Sequence, residues 1–214
     1  MNKFYTKIKK MFGGLAKKLF RVKVINPENE PKGVPFIVCC NHTSAFDVVV
    51  ISSCLENQFN YMAKKELFRV PLLAQFIKAM GAVPVDRKSG DVGAVKKSIE
   101  ILKDGSCMGI FPQGTRRKGV DPRTTPLKDG LGMLATRSGV GILPVCIRTK
   151  KNKLKMFHKT ELVIGEYIPP EALEFSELST KEKYSEITRL AFNKVCDMHD
   201  QGMLPPVKAR KRLK

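Results

Sequence analysis

The sequence predicts a single α/β domain, a mixed and largely parallel sheet flanked by helices, with an amphipathic helical segment ahead of it. Three observations lead there. Short apolar runs of strand length alternate with helix-length stretches from residue 35 onward, the pattern of crossover units that build parallel sheets. The 214 residues, 43% of them hydrophobic, suffice for one well-buried core and not for two catalytic domains. No apolar run reaches the roughly 18 residues of a transmembrane helix, and the N-terminus lacks the pattern of a secretory signal, so a cytoplasmic protein is expected.

The elements follow in order. Residues 1–25 carry eight cations and no acid, with Phe4, Ile8, Met11, Phe12, Leu15 and Leu19 forming one apolar stripe at helical period. This is the pattern of a helix lying in a membrane interface; a helix docked on the core is the plainer alternative. Gly13-Gly14 is expected to bend or break it. After a turn at Pro31-Lys32-Gly33, residues 35–40 read as a buried strand and 44–56 as a helix. Residues 59–63 read as a strand, and 71–80 as a helix with proline in its first turn. Then come a strand at 81–85, a helix at 91–103, a strand at 106–111 and a helix at 128–138. Strands at 140–148 and 154–168, the second bent or split, precede a closing helix at 180–199. The catalytic domain is thus expected at 26–205, followed by a basic tail at 206–214.

Lysine and arginine total 39 against 20 acids, a net charge of +19 that attracts polyanions. Aromatic residues are only 7% and no base-stacking motif is visible, so an anionic membrane surface is expected rather than nucleic acid. The six cysteines sit mostly inside apolar runs without paired ligand spacing. They read as small buried hydrophobes in a reducing compartment, with no disulfide and no metal. Adjacent Cys39 and Cys40 are expected to face opposite sides of their strand.

Three polar clusters directly follow predicted strands: Asn41-His42, Asp86-Arg87 and Gln113-Gly114-Thr115-Arg116. In a parallel sheet, ligands gather at the carboxyl ends of the strands, so the clusters are expected to converge there. His42 and Asp47 stand five apart at a strand-to-helix junction, where a carboxylate can orient an imidazole as general base. Alone, such a pair is more often a structural hydrogen bond. Asn41 and Ser44 are candidates to cap the following helix. Arg87 suits a phosphate, or an ion pair with Asp86. Phe111 to Gly119 combines a glycine, a threonine and arginines into an anion cradle, or a plain basic turn; it lacks the spacing of a P-loop. A fourth segment, Gly141 to Ile147, is apolar and reads as core.

Taken together, the clusters resemble the 1-acylglycerol-3-phosphate acyltransferase (PlsC-like) family. Its first block, Asn-His-x-Ser/Thr-x-x-Asp, is matched by Asn41, His42, Ser44 and Asp47. Arg87 matches its second block. Phe111, Pro112, Gly114, Thr115 and Arg116 match its third, Phe-Pro-Glu-Gly-Thr-Arg-Ser, and Pro144 its fourth. The third block departs twice, with Gln113 for the usual glutamate and Arg117 for serine. If that glutamate acts by charge, Gln113 alters activity; if it acts only as an acceptor, little changes.

The resemblance implies transfer of an acyl group from acyl-CoA or acyl-carrier protein to the hydroxyl of a lysophospholipid, giving phosphatidate from lysophosphatidate. It assigns catalysis to His42 and Asp47 and phosphate binding to Arg87, Gly114, Thr115 and Arg116. No metal or prosthetic cofactor is implied, and the enzyme would sit peripherally on the cytosolic face of an anionic membrane. A glycerol-3-phosphate or other lysolipid acyltransferase shares the same blocks.

Overall fold

The computed structural model describes residues 3–86 and 91–201, so Arg87 and the basic tail at 206–214 lie outside the described residues. A seven-stranded sheet has the order β1-β7-β6-β2-β5-β3-β4. Its strands are β1 (Val22–Ile25), β2 (Phe36–Cys40), β3 (Phe59–Lys64), β4 (Ala82–Val85), β5 (Cys107–Ile110), β6 (Gly141–Thr149) and β7 (Thr160–Ile164). Every ladder is parallel except that between β6 and β7. The helices are α1 (Lys3–Leu19), α2 (Asp47–Cys54), α3 (Pro71–Ala79), α4 (Val92–Lys103), α5 (Gly130–Ser138) and α6 (Thr180–Gln201).

Strand β2 explains the layering. All five of its residues, Phe-Ile-Val-Cys-Cys, are buried, because helices cover both faces of the sheet. Ile37 and Cys39 enter one core with residues of α4, α5 and α6; Phe36, Val38 and Cys40 enter the other with residues of α2 and with Phe20. The two adjacent cysteines do face opposite sides, and all six cysteines are free thiols.

Three details differ from the sequence reading. Residues 22–25, the end of the expected N-terminal segment, form edge strand β1, paired in parallel with β7. Helix α1 runs unbroken through Gly13-Gly14, because it is seated on α2. Tyr5, Ala16 and Phe20 are buried, and the Lys9 ammonium donates to the Leu55 and Glu56 carbonyls at the end of α2. Asn41 does not cap α2; its amide accepts from Ile147 N at 2.8 Å and donates to Ile147 O at 3.0 Å, tying the end of β2 to β6. The region 154–168 is split, as expected: β7 covers only its middle, and Ile168 returns separately as an antiparallel bridge to Ile142. Among the described residues no helix is long and apolar enough to cross a membrane.

Candidate active site

The carboxyl ends of β2 and β5 lie side by side, since Cys39 pairs with Ile110. The segments that leave them, residues 41–46 and 111–118, therefore meet at one sheet edge.

On the first segment Asp47 is fully buried, and one of its oxygens gathers three donors. Oδ2 lies 2.8 Å from His42 Nδ1, 2.6 Å from Thr43 N and 2.8 Å from Ser44 N. The Thr43 hydroxyl donates to Oδ1 at 3.3 Å. Asp47 opens α2, where the helix dipole and free amides favour a carboxylate. An ionised carboxylate only accepts, so the proton between the two groups sits on His42 Nδ1 and Nε2 carries a lone pair. Ser44 Oγ serves the same turn by accepting from Phe46 N at 3.2 Å.

The second segment grips His42 from outside. Gln113 Oε1 accepts from His42 N at 2.7 Å, and Arg117 N donates to His42 O at 2.7 Å. Both main-chain groups of the histidine are thus held by one loop. The Phe111 ring stacks on the imidazole, with centroids 4.1 Å apart and planes 18° from parallel. Gln113 is only 3% exposed. Its Nε2 donates to Thr125 Oγ1 at 2.8 Å, and that hydroxyl donates to Pro122 O at 2.6 Å.

Beyond Gln113 the loop turns sharply. Gly114 has φ +67°, its N–H closes the turn on Phe111 O at 2.9 Å, and a Cβ there would meet the Lys128 side chain at 2.8 Å. The Gly114 N–H, expected to face a phosphate, is thereby engaged within the loop. Thr115 and Arg116 follow, both exposed. Arg117 Nε is buried without a hydrogen-bond partner among the described residues. Pro112 is buried, its carbonyl accepting from Lys128 N at 2.8 Å. Pro144 lies in β6, paired with Cys39.

A family model described as Acyltransferase matches residues 21–148, which include both segments, Thr125 and Pro144. The chain belongs to the PlsC-like acyltransferase family. It is 32% identical over 183 residues to the 1-acyl-sn-glycerol-3-phosphate acyltransferase of Bacillus subtilis, covering 84% of this chain and 89% of that one. A Borreliella burgdorferi protein of the same description is 33% identical over 134 residues, 62% of this chain. The chain spans about half (53%) of that longer relative. The crystal structure of the 1-acyl-sn-glycerophosphate (LPA) acyltransferase PlsC from Thermotoga maritima superposes with a TM-score of 0.70 at 27% identity, over 95% of this chain and 84% of that one.

Within this acyltransferase the structure brings His42, Ser44, Asp47, Phe111, Gln113 and Gly114 into one network. Asn41 and Pro112 lie beside it, bonded to Ile147 and Lys128, and Thr115 and Arg116 are exposed after it. Sequence reasoning missed one member, Thr125, which has no motif around it; Arg117 entered as one of the cradle's arginines and as a departure from serine. Three groups of metal-ligand type, Asp121, His199 and Asp200, also lie within 4.8 Å of one another. They are engaged otherwise, Asp200 with Arg123 at 2.6 Å and His199 Nε2 with Asn152 Oδ1 at 2.7 Å.

Proposed function

We propose that this acyltransferase moves a fatty acyl group from a thioester, on coenzyme A or acyl-carrier protein, to the sn-2 hydroxyl of lysophosphatidate, giving phosphatidate. The names of its relatives support the acceptor. The observation that carries the chemistry is the His42–Asp47 contact of 2.8 Å, with the carboxylate fully buried beneath two further amide donors.

His42 Nε2 takes the proton of the acceptor hydroxyl as its oxygen attacks the thioester carbonyl. The carbon–oxygen bond forms, the tetrahedral intermediate collapses, and the carbon–sulfur bond breaks. The departing thiolate recovers the proton from Nε2. Asp47 holds the tautomer and stabilises the transient imidazolium. The acceptor phosphate is held by Arg87, the Thr115 hydroxyl and Arg116, joined by Arg117, whose unpartnered guanidinium nitrogen suits an anionic oxygen. These contacts fix the hydroxyl beside the base, which is the positioning part of the catalysis. A covalent acyl-cysteine is disfavoured, since burial pushes the nearby Cys40 thiol well above its usual range. Helix α1, cationic and amphipathic, holds the enzyme on the cytosolic face of an anionic membrane where the acceptor resides.

The test is the purified protein with lysophosphatidate and labelled acyl-CoA or acyl-carrier protein. Wild type forms phosphatidate, and His42→Ala loses a factor of about 10²–10⁴. Equal product from the two proteins would remove His42 from the mechanism.

A further inference from the structure

Ten of the sixteen large apolar side chains exposed among the described residues lie on α1, α2, α3 and the turns that lead into the latter two. These include Met11, Leu15, Val49, Leu67, Leu72 and Phe76, with Leu72 at 83% exposure. Helices α4, α5 and α6 expose only Val92 among large apolar residues. An imbalance of this kind marks a surface with a partner.

The three helices share one face of the sheet. Val50 and Ile51 of α2, with Leu55 directly after it, pack into the core that also holds Phe20, and α1 is seated on α2. Helix α4 contributes Leu102 to the opposite core. It connects β4 back to β5, whereas α3 connects β3 outward to β4. Parallel crossovers are right-handed, so connections running in opposite directions across the sheet lie on opposite faces. That puts α3 on the face of α1 and α2. The turn before α3, Lys65–Arg69, follows the carboxyl end of β3 directly, at the sheet edge where His42 stands.

The charge on this layer identifies its partner. Helices α1 to α3 with the Lys65–Arg69 turn hold nine basic residues and two acids, Asp47 and Glu66, and Asp47 is buried. Two copies of such a face would repel each other across a two-fold interface. An anionic bilayer satisfies both features, taking the apolar side chains below the headgroups and the lysines among them.

We infer that α3 and the turn before it, with Leu67, Leu72 and Phe76, form a second membrane-inserting element beside α1. It seats the catalytic edge of the sheet on an anionic lipid surface. This rests on the reading of the protein as a lipid acyltransferase, but its test does not use the reaction.

The chain contains no tryptophan, so Leu72→Trp supplies a single fluorescent reporter. On phosphatidylglycerol vesicles its emission shifts to the blue and is quenched by brominated acyl chains. On phosphatidylcholine vesicles the shift is small, and Val92→Trp on the opposite layer shows none. The double variant Leu72→Glu/Phe76→Glu, exposed at both sites, keeps the wild-type melting temperature and loses about tenfold or more of its vesicle partition. Unshifted Leu72→Trp emission on phosphatidylglycerol vesicles overturns the inference, as does wild-type partition by the double variant. An emission already blue in a lipid-free dimer would assign the face to a second copy instead and overturn it too. A protein that inserts through Leu72 but makes no phosphatidate would sink only the proposed reaction, and one that acylates without inserting there would sink only this element.

Discussion

At Gln113 one residue decides how a departure from the family pattern is accommodated. An amide both donates and accepts, and here both capacities are used, toward Thr125 Oγ1 and from His42 N. The acceptor half is the one a glutamate would also supply, and the donor half is matched by a hydroxyl that has its own acceptor in Pro122 O. Thr125 therefore positions His42 through Gln113. Thr125→Val strands a buried Nε2 donor and is expected to cost about 1–3 kcal/mol, read as a lowered urea midpoint. It should also lower kcat/KM by loosening the histidine, and Thr125→Ser should restore both. An unchanged midpoint in the valine variant would contradict the relay. In Gln113→Glu the threonine hydroxyl can turn to donate to the new carboxylate, so Thr125→Val is expected to be more damaging in that background than in the wild type. The His42–Asp47 contact was legible in the sequence because both groups lie within one turn of each other. The Gln113–His42 contact was not: its partners are 71 residues apart, and only the pairing of β2 with β5 joins them.

At the scale of elements, the helices and inner strands were legible from apolar periodicity, and the misreadings fall where a partner element decides. Val22-Lys23-Val24-Ile25 alternates like a strand but is four residues long and follows a lysine-rich helix; its ladder with β7 makes it one. Asn41 reads as a cap for the following helix, but α2 starts only at Asp47, and Ile147 offers Asn41 both its amide and its carbonyl. The antiparallel β6–β7 join carries its own ion pair. Arg148 donates to Glu161 Oε2 through Nη2 at 2.7 Å and Nε at 3.0 Å, and its Nη1 reaches Met198 O of α6 at 2.9 Å. Burial would raise the Glu161 carboxyl, but Arg148 and Lys159 outweigh it and hold the group below its ordinary 4.5. A depressed carboxyl stabilises fully above its unfolded value, and the contribution fades as pH falls through the lower folded value. Glu161→Gln is therefore expected to cost about 1 kcal/mol at pH 7, with the gap to wild type closing below about pH 4.5. Thermal melts of both proteins at pH 7 and pH 3.5 check the sign. A tighter constraint acts between α5 and α6, where a Cβ at Gly132 would lie 2.1 Å from Tyr184 O. Gly132→Ala must push the helices apart, at about 1–3 kcal/mol.

For the whole molecule, the alternation of strands and helices gave the layered α/β class, while the strand order depends on crossovers that composition does not record. That order puts β2 at the centre, contributing to both cores, so neither face of the sheet can open without exposing the other face of the same strand. The cysteines make this coupling measurable. Cys39, Cys146 and Cys196 belong to one core, Cys40 and Cys107 to the other, and half-buried Cys54 packs against the second. Burial pushes the Cys39 and Cys40 thiols well above their usual range and those of Cys54, Cys107 and Cys196 up to about 11. At pH 8 the nucleophilic thiolate is scarce in the native state, and the buried sulfurs are also out of reach of a bulky reagent. Labelling with an aromatic disulfide reagent across a urea series should therefore modify at most Cys54 before unfolding. The other five should then react in one transition, coincident with the loss of helical circular dichroism. Mass mapping of the labelled sites decides between one unit and two. Cys40 and Cys107 labelling at lower urea than Cys39, Cys146 and Cys196 would mean that the α1–α3 layer peels from the sheet on its own, and a shared β2 would then not couple the two faces.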